Sequence, residues 1–150
     1  MSKKLICWDS SVFIDWLRDE ESTNPERLPL IQSVIEKAEN GECQLLASAL
    51  VLVEVLEKAT PGGGMGKFEN LLGSSRIVRA IPANVFVAQK ARKIRNHFYP
   101  DKKISVPDAV HIATAIVSKA DVLHTSDDRL LSLNGAPEVD RLAITELIIP

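Results

Sequence analysis

The sequence predicts an α/β fold in which helices cover both faces of a central parallel β-sheet, a three-layer α/β/α sandwich. Short apolar runs that suit buried strands alternate with longer segments whose apolar residues recur at helical spacing. The 150 residues are 45% hydrophobic and 25% charged, an ordinary globular balance. Because no repeat, low-complexity segment or linker divides the chain, we expect residues 1–150 to form a single domain.

The first half of the chain is predicted to contain two strands and four helices. The strands are the apolar runs at residues 4–8 and 43–47. Residues 48–59, with Ser48 as the cap, are apolar on all sides, which predicts a buried helix. The β-branched valines in this segment leave a strand as the alternative. The other predicted helices cover residues 10–17, 25–40 and 67–72, and a glycine-rich break is expected at 61–64.

The second half is predicted to contain three strands and three helices. The strands are expected at residues 77–81, 122–125 and 143–149, and the helices at 82–98, 106–119 and 127–133. In such folds ligands bind outside the carboxyl ends of the parallel strands. Asp9 and Asp127 both follow a predicted strand, so the sequence places two acids at that edge.

Composition and charge exclude several classes of protein. No apolar run approaches the ~20 residues that span a bilayer, and the amino-terminal apolar run is too short for a signal peptide, so we expect a soluble, cytoplasmic protein with no membrane partner. Cys7 and Cys43 are expected to be small buried hydrophobes, because no Cys/His cluster indicates a zinc site. The net charge of −2 means that any nucleic-acid contact requires a local basic patch.

Four acids interrupt or follow apolar stretches that are expected to be buried: Asp9, Glu54, Asp108 and Asp127. Burying a carboxylate among aliphatic side chains costs free energy unless a cation or hydrogen bonds compensate. Four such cases in a small chain indicate a shared cation. Carboxylate oxygens are the ligands of hard divalent ions, so the expected cofactor is Mg²⁺ or Mn²⁺.

Each of these acids also has a structural explanation. Asp9 and Asp127 are suited to cap the helices that follow them. Ser105 and Asp108 match a capping box, which is compatible with metal binding by the second carboxylate oxygen. Glu54 is suited to a buried ion pair with an Arg or Lys. His111 lies one helical turn after Asp108, but a core or surface role is the simpler explanation for a lone histidine there. Three residues are expected to support the acids: Ser10, Thr125 and Asp128.

The order of these features resembles the PIN-domain family, in particular the VapC-like toxins of bacterial toxin–antitoxin pairs. The matching stretches are residues 8–12 (WDSSV), 48–54 (SALVLVE), 107–115 (PDAVHIATA) and 125–130 (TSDDRL), and the third is the most specific. The resemblance spans almost the whole chain. Two features depart from the family: Asp128 stands where a basic residue is common, and the glycine run at 62–66 is unusual.

The resemblance implies a PIN-like parallel sheet between helices and a Mg²⁺- or Mn²⁺-dependent ribonuclease that leaves 5′-phosphate and 3′-hydroxyl ends. It places the catalytic and metal-binding positions at Asp9, Glu54, Asp108 and Asp127. It also implies an antitoxin partner and a homodimer. From the residues and the resemblance together we expect an endoribonuclease in which a metal-bound water is the nucleophile. The alternative is a PIN-like module that binds RNA or protein without catalysis.

A local basic patch is available for an RNA substrate. Segment 90–103 carries one acid, Asp101, and six of the 18 basic residues: Lys90, Arg92, Lys93, Arg95, Lys102 and Lys103. Such a patch can hold phosphates in a salt-dependent way. The alternative is a solvated helix face whose aliphatic stems cover the core. Tyr99, in the same segment, is suited to stack on a base.

Two other phosphate-related functions fit poorly. Residues 61–67 (PGGGMGK) invite comparison with a phosphate-binding loop, but that motif requires Gly at 61 and Ser or Thr at 68, where the chain has Pro61 and Phe68. A phosphoacceptor receiver domain is another α/β fold with acids at strand ends. It needs paired acids after the first strand and a Lys near the last strand, and neither is present.

Overall fold

A five-stranded parallel sheet forms the centre of the computed structural model, which describes residues 2–18, 26–55, 64–73, 77–140 and 142–150. The strands are β1 (Lys4–Trp8), β2 (Cys43–Ser48), β3 (Val78–Ile81), β4 (Val122–His124) and β5 (Ala143–Thr145). Their order across the sheet is β3-β2-β1-β4-β5, and every pairing is parallel. The predicted parallel sheet is confirmed.

Helices lie on both faces of this sheet, as predicted. They are α1 (Ser10–Leu17), α2 (Arg27–Glu39), α3 (Val51–Glu54), α4 (Gly64–Gly73), α5 (Val85–Phe98), α6 (Val106–Val117) and α7 (Asp128–Leu131), with a 3₁₀ turn at Pro137–Val139. The side chains of strand β1 pack into two apolar cores, one on each face of the sheet. Ile6 and Trp8 belong to the apolar cluster that also holds residues of α1, α2 and α4, whereas Cys7 belongs to the cluster with α5, α6 and α7. Alternate side chains of a strand point to opposite faces, which produces this division.

The sheet reverses its direction of growth beside β1. The chain adds β2 and then β3 on one side of β1, and returns to add β4 and then β5 on the other side. At such a switch point the connections after the two central strands diverge, which leaves a crevice at their carboxyl ends. Asp9 follows β1 and Thr125 follows β4, so both residues lie at this crevice.

The predicted helix at residues 48–59 is wrong in its start and in its burial. Strand β2 continues through Ser48, whose hydroxyl oxygen accepts a hydrogen bond from the Leu50 N–H at 3.1 Å, and α3 begins only at Val51. Leu52 and Val53 are exposed, so this helix is not buried on all sides. Residues 56–59 lie outside the described residues, as do residues 61–63 of the predicted glycine-rich break; α4 begins at Gly64.

The last strand is shorter than predicted. It covers residues 143–145 rather than 143–149, because its neighbour β4 is itself three residues long and offers three residues to pair with. Cys7 and Cys43 are both buried and unpaired, as expected of small hydrophobic residues. Across the helices of the described ranges, none combines the length and the apolar character that crossing a membrane would require.

A buried histidine joins the two central strands below the crevice. Trp8 Nε1 donates a hydrogen bond to His124 Nδ1 at 3.1 Å, and both side chains are buried. Burial lowers the pKa of His124 to about 4, and the charge of Lys4 acts in the same direction. Because Nδ1 accepts this bond, the neutral ring carries its hydrogen on Nε2.

We predict that His124 makes the fold sensitive to mild acid. The pKa of His124 is lower in the folded protein than its unfolded value of 6.5, so the full stability of the fold is present above pH 6.5. This stability is lost as the pH falls from 6.5 through about 4. The loss is on the order of 3 kcal/mol over this interval. His124→Asn keeps an acceptor for Trp8 Nε1 but does not titrate. Urea unfolding at pH 7 and pH 4.5 should therefore show a smaller decrease for the variant; equal decreases would contradict the prediction.

Candidate active site

Asp9 lies at the base of the crevice and is held by three hydrogen bonds. Its Oδ1 accepts from the Ser11 N–H at 3.1 Å and from Ser11 Oγ at 2.5 Å, and its Oδ2 accepts from Thr125 Oγ1 at 2.6 Å. The side chain is thus the predicted cap of α1 and is also bonded to the residue after β4. Both carboxylate oxygens are fixed in direction before any ligand binds.

The Asp9 carboxylate is buried at a cost that its hydrogen bonds do not fully offset. The residue is 3% exposed. Burial raises its pKa above 3.8, although hydrogen bonds from Ser11 and Thr125 and the charge of His111 act to lower it. Since the charged form is still disfavoured, an added cation at this point would stabilise it.

Glu54 ends α3 and faces the start of α1. Its Oε2 accepts a hydrogen bond from Ser10 Oγ at 3.2 Å, and its Oε1 lies 2.5 Å from His111 Nε2. Ser10 is the residue after Asp9, so the contact brings Glu54 to the same helix terminus. The sequence offered an Arg or Lys as the ion-pair partner of Glu54; the partner in the structure is a histidine.

His111 is a functional candidate that the sequence treated as a core or surface residue. It is 1% exposed, contacts Glu54 through Nε2, and is close enough to Asp9 for its charge to lower the pKa of that carboxyl. Its Nδ1 is buried and has no hydrogen-bond partner among the described residues. The carboxylate of Glu54 can only accept, so Nε2 carries the hydrogen of this bond. The spacing of three residues places His111 on the same helix face as Asp108, but nothing in the sequence indicates its contact with Glu54, 57 positions away.

Thr125 connects Asp9 to Asp127. Its hydroxyl donates to Asp9 Oδ2 and accepts from the Asp127 N–H at 3.0 Å. Asp127 caps α7, as the structural explanation proposed, and accepts from the Arg129 N–H at 2.9 Å and from Arg129 Nη2 at 3.2 Å. Although burial acts to raise the pKa of Asp127, the hydrogen bonds and charge of Arg129 lower it overall.

Asp108 lies at the start of α6, on the outer side of this network. Ser105 caps α6 and accepts from the Asp108 N–H at 3.2 Å, which confirms that half of the capping box. The charge of Asp108 acts on the Arg129 guanidinium, and the two residues line one cavity of about 270 Å³. Asp128, which was predicted with Ser10 and Thr125 to support the acids, is exposed on α7.

The structure places the predicted acids at one end of the sheet, but it does not bring all four into contact. Asp9 is bonded through the Thr125 hydroxyl to the Asp127 N–H, Glu54 is bonded to Ser10 and His111, and Asp108 acts on Arg129 through its charge alone. Within the described ranges, no three His, Cys, Asp or Glu side chains are grouped so that they could hold an ion by themselves. The acids form a polar network rather than a closed cage.

The six predicted RNA-binding residues are divided by the structure. Arg92, Arg95, Lys102 and Lys103 line a groove between α5 and α6, whereas Lys93 is exposed on α5 outside that lining. Lys90 forms an ion pair with Asp140 at 3.0 Å.

Comparison with known proteins identifies the fold family. The model of the PIN domain matches residues 6–136, which is most of the chain and includes all four acids. The chain belongs to the PIN-domain family. No curated protein matches it at a significant level.

Three solved structures share the fold of this PIN domain at low sequence identity. FitAcB from Neisseria gonorrhoeae is 19% identical with a TM-score of 0.61, over 94% of this chain and 96% of that one. VapBC2 from Rickettsia felis, bound to a DNA fragment from its promoter, is 12% identical with a TM-score of 0.65, over 96% and 99%. VapC20 from Mycobacterium tuberculosis, described as a toxin that cleaves the sarcin-ricin loop, is 14% identical with a TM-score of 0.65, over 85% and 93%.

The side chains that this PIN domain offers at the site are of the chemical type that a hard divalent cation binds. Its acids offer carboxylate oxygens, and the buried charge of Asp9 is the group that a cation would most stabilise. Mg²⁺ is commonly held by one or two carboxylates, with water and substrate phosphate as the other ligands. An open network is therefore compatible with such an ion, and Asp9 with Glu54 or Asp127 would supply the protein ligands.

We predict that the bond from His111 to Glu54 stabilises the metal-free protein. Gln at position 111 reaches about as far as Nε2 of the histidine and can still donate to Glu54, whereas Asn reaches only as far as Nδ1. His111→Asn should therefore lower the free energy of unfolding by about 2 kcal/mol more than His111→Gln does, since hydrogen bonds to charged groups contribute about 1.5–3 kcal/mol.

Urea unfolding of both variants in EDTA measures this difference. The same pair in a Glu54→Gln background is the control, and the difference should shrink there because the charged acceptor is gone. Equal stability of the Gln and Asn variants in the wild-type background would show that the contact contributes nothing.

Proposed function

We propose that this PIN domain is a Mg²⁺- or Mn²⁺-dependent endoribonuclease that hydrolyses RNA phosphodiester bonds, and that it is the toxin of a type II toxin–antitoxin pair. The observation that carries the proposal is the buried Asp9 carboxylate at the crevice between β1 and β4, which is oriented by Ser11 and Thr125 but not neutralised by them. Asp9 also caps α1, but burial of its charge costs free energy that the cap and the other hydrogen bonds offset only in part, and a bound cation would offset the rest.

In this proposal the side chains divide the work of phosphodiester hydrolysis. A bound Mg²⁺ or Mn²⁺ would supply an activated water and neutralise charge that develops on the phosphate. Asp9, Asp108 and Asp127 would bind the ion directly or through water, and Thr125 and Ser11 keep the Asp9 oxygens in place. Glu54, held by Ser10 and His111, would ligate the ion or orient the attacking water.

The products expected from the family resemblance are 5′-phosphate and 3′-hydroxyl ends. Retention of the bond between the phosphate and the 5′ oxygen requires that the 3′ oxygen leaves. Arg129, beside Asp127 and Asp108, is an exposed cation at the rim of the crevice and is placed to contact a substrate phosphate.

The proposed partners are an antitoxin protein and a second copy of the chain, in the cytoplasm. Support for the antitoxin comes from two structural neighbours: VapC20 is described as a toxin, and VapBC2 as bound to a DNA fragment from its promoter. Support for a protein-covered surface near the site is the exposed apolar pair Leu52 and Val53, which stands on the same short helix as Glu54. The second candidate function, a PIN-like module without catalysis, is less favoured because the chain keeps an acid at all four positions that the family resemblance assigns to the metal site: Asp9, Glu54, Asp108 and Asp127.

We predict that Asp9→Asn lowers the rate of RNA cleavage at least about 100-fold, because it removes the charge that binds the ion while keeping a side chain of the same shape. Glu36→Gln, which removes the charge of an exposed acid on α2, is the control and should stay within about threefold of wild type. Purified proteins are incubated with structured RNAs in Mn²⁺, and the ends of the fragments are analysed chemically.

Two outcomes would contradict the proposal in different ways. Equal cutting by wild type and Asp9→Asn would identify a contaminating nuclease. Absence of both cutting and Mn²⁺ binding heat in calorimetry would favour the non-catalytic module.

A further inference from the structure

A groove with a basic rim lies between α5, the loop that follows it, and α6. Its volume is about 560 Å³. Four cations line it: Arg92, Arg95, Lys102 and Lys103. Its wall also contains small and aliphatic side chains of α5 and α6, among them Ala88, Ala91, Val106 and Val110. A groove of this kind combines charge for phosphates with apolar surface for bases.

This groove continues to Asp108, one of the four candidate metal-binding acids. The smaller cavity that Asp108 and Arg129 line is also lined by Lys102, Lys103 and Ile104, and these three residues line the larger groove as well. The two cavities therefore meet at Lys102 and Lys103. The cations Arg92, Arg95, Lys102 and Lys103 therefore lead to Asp108 and to Arg129, which is itself paired with Asp127.

Two of the cations are held in place by the fold. Arg95 Nε donates to the Ile104 carbonyl oxygen at 2.9 Å, which ties α5 to the loop, and Lys102 Nζ lies 5.8 Å from the centre of the Phe98 ring. Neither contact neutralises charge, because the partners are a carbonyl and an aromatic ring. Lys90 on the same helix differs, since it is paired with Asp140.

An exposed aromatic ring completes the groove. Tyr99 is 67% exposed and lies on the lining between the cations of α5 and those of the loop. A ring in this position offers a face for an unpaired base, and base–aromatic stacking is insensitive to sequence. Phe86, on the first turn of the same helix, is equally exposed at 70% but is not on the lining, so it provides a matched control.

We propose that this groove binds a single-stranded segment of the RNA substrate and leads it to the acids at Asp108. The inference rests on the proposed function and adds the path of the substrate. Phosphates lie along Arg92, Arg95, Lys102 and Lys103, and one base stacks on Tyr99. An acidic peptide would use the cations but would not need the exposed ring.

The test measures RNA binding separately from cleavage. All variants carry Asp9→Asn, and a fluorescent single-stranded RNA is titrated in EDTA at several salt concentrations. Arg92→Ala and Lys102→Ala should each weaken binding and lower the salt slope by about 0.7, the value for one phosphate contact on a single strand. Lys93→Ala, which removes an exposed cation outside the groove, should change neither quantity.

A second pair of variants tests whether the exposed aromatic ring contributes to binding. Tyr99→Ala should weaken binding about tenfold with no change in salt slope, because stacking is lost but no phosphate contact is. Phe86→Ala should stay within about twofold. All five side chains are exposed, so circular dichroism is expected to show unchanged folding.

Each outcome separates this inference from the nuclease proposal. Loss of affinity in the groove variants but not in the controls supports the groove even if the wild-type protein does not cut RNA. Cutting by wild type together with groove variants that bind like Lys93→Ala and Phe86→Ala would overturn the groove alone. A duplex that binds as tightly as the single strand, an acidic peptide that binds more tightly than the RNA, RNA binding that Tyr99→Ala does not weaken, or no measurable RNA binding would also overturn it.

Discussion

The burial of one carboxylate, that of Asp9, organises the functional end of this PIN domain. Its position follows from topology: β1 is the central strand of the sheet, so the residue that follows it lies deep between the layers. The Asp9 N–H also donates to the His124 carbonyl oxygen at 3.4 Å, which joins the ends of β1 and β4. Ser11 and Thr125 then bind one carboxylate oxygen each, and the surrounding polar side chains are arranged around this anion.

Asp9 and Asp127 can cap a helix and bind a metal ion with the same side-chain geometry. Asp9 caps α1 with Oδ1, while Oδ2 is bonded across the crevice to Thr125. Asp127 caps α7, and its own N–H is bonded to the same threonine hydroxyl. A capping aspartate has a fixed rotamer and a fixed distance from the strand end, which is what a metal ligand also requires. Helix termini therefore pre-organise the acids without a separate scaffold.

Much of this arrangement was predictable from the sequence because it depends on local chemistry. The boundaries of α1 agree with the pattern of apolar residues, and both strand-end acids cap their helices as Asp residues commonly do. The helix at residues 48–59 was mispredicted because an apolar segment beside a site does not have to be buried; Leu52 and Val53 are exposed. Metal binding by Asp9, Glu54, Asp108 and Asp127 stays a prediction.

The residue that sequence reasoning undervalued is His111. Its contact with Glu54 joins α3 to α6 across 57 positions of the chain, and no spacing rule reports a contact of that kind. The sequence also could not show which cations of the basic patch line the groove, because that depends on the tertiary fold. Arg92 and Lys93 are neighbours in sequence, but only Arg92 lines the groove, and the loop residues Lys102 and Lys103 join it there through the tertiary fold.

The central claim, that Asp9 is a buried charge kept for a cation, is tested most directly by unfolding the wild type and Asp9→Asn at pH 7, in EDTA and in Mn²⁺. In EDTA the variant should be the more stable protein, because the disfavoured charge is gone. At an Mn²⁺ concentration of about 100 times the dissociation constant, the wild type should gain about 2.7 kcal/mol and the variant much less. A variant that is less stable in EDTA, together with a wild type that Mn²⁺ does not stabilise, would contradict the account.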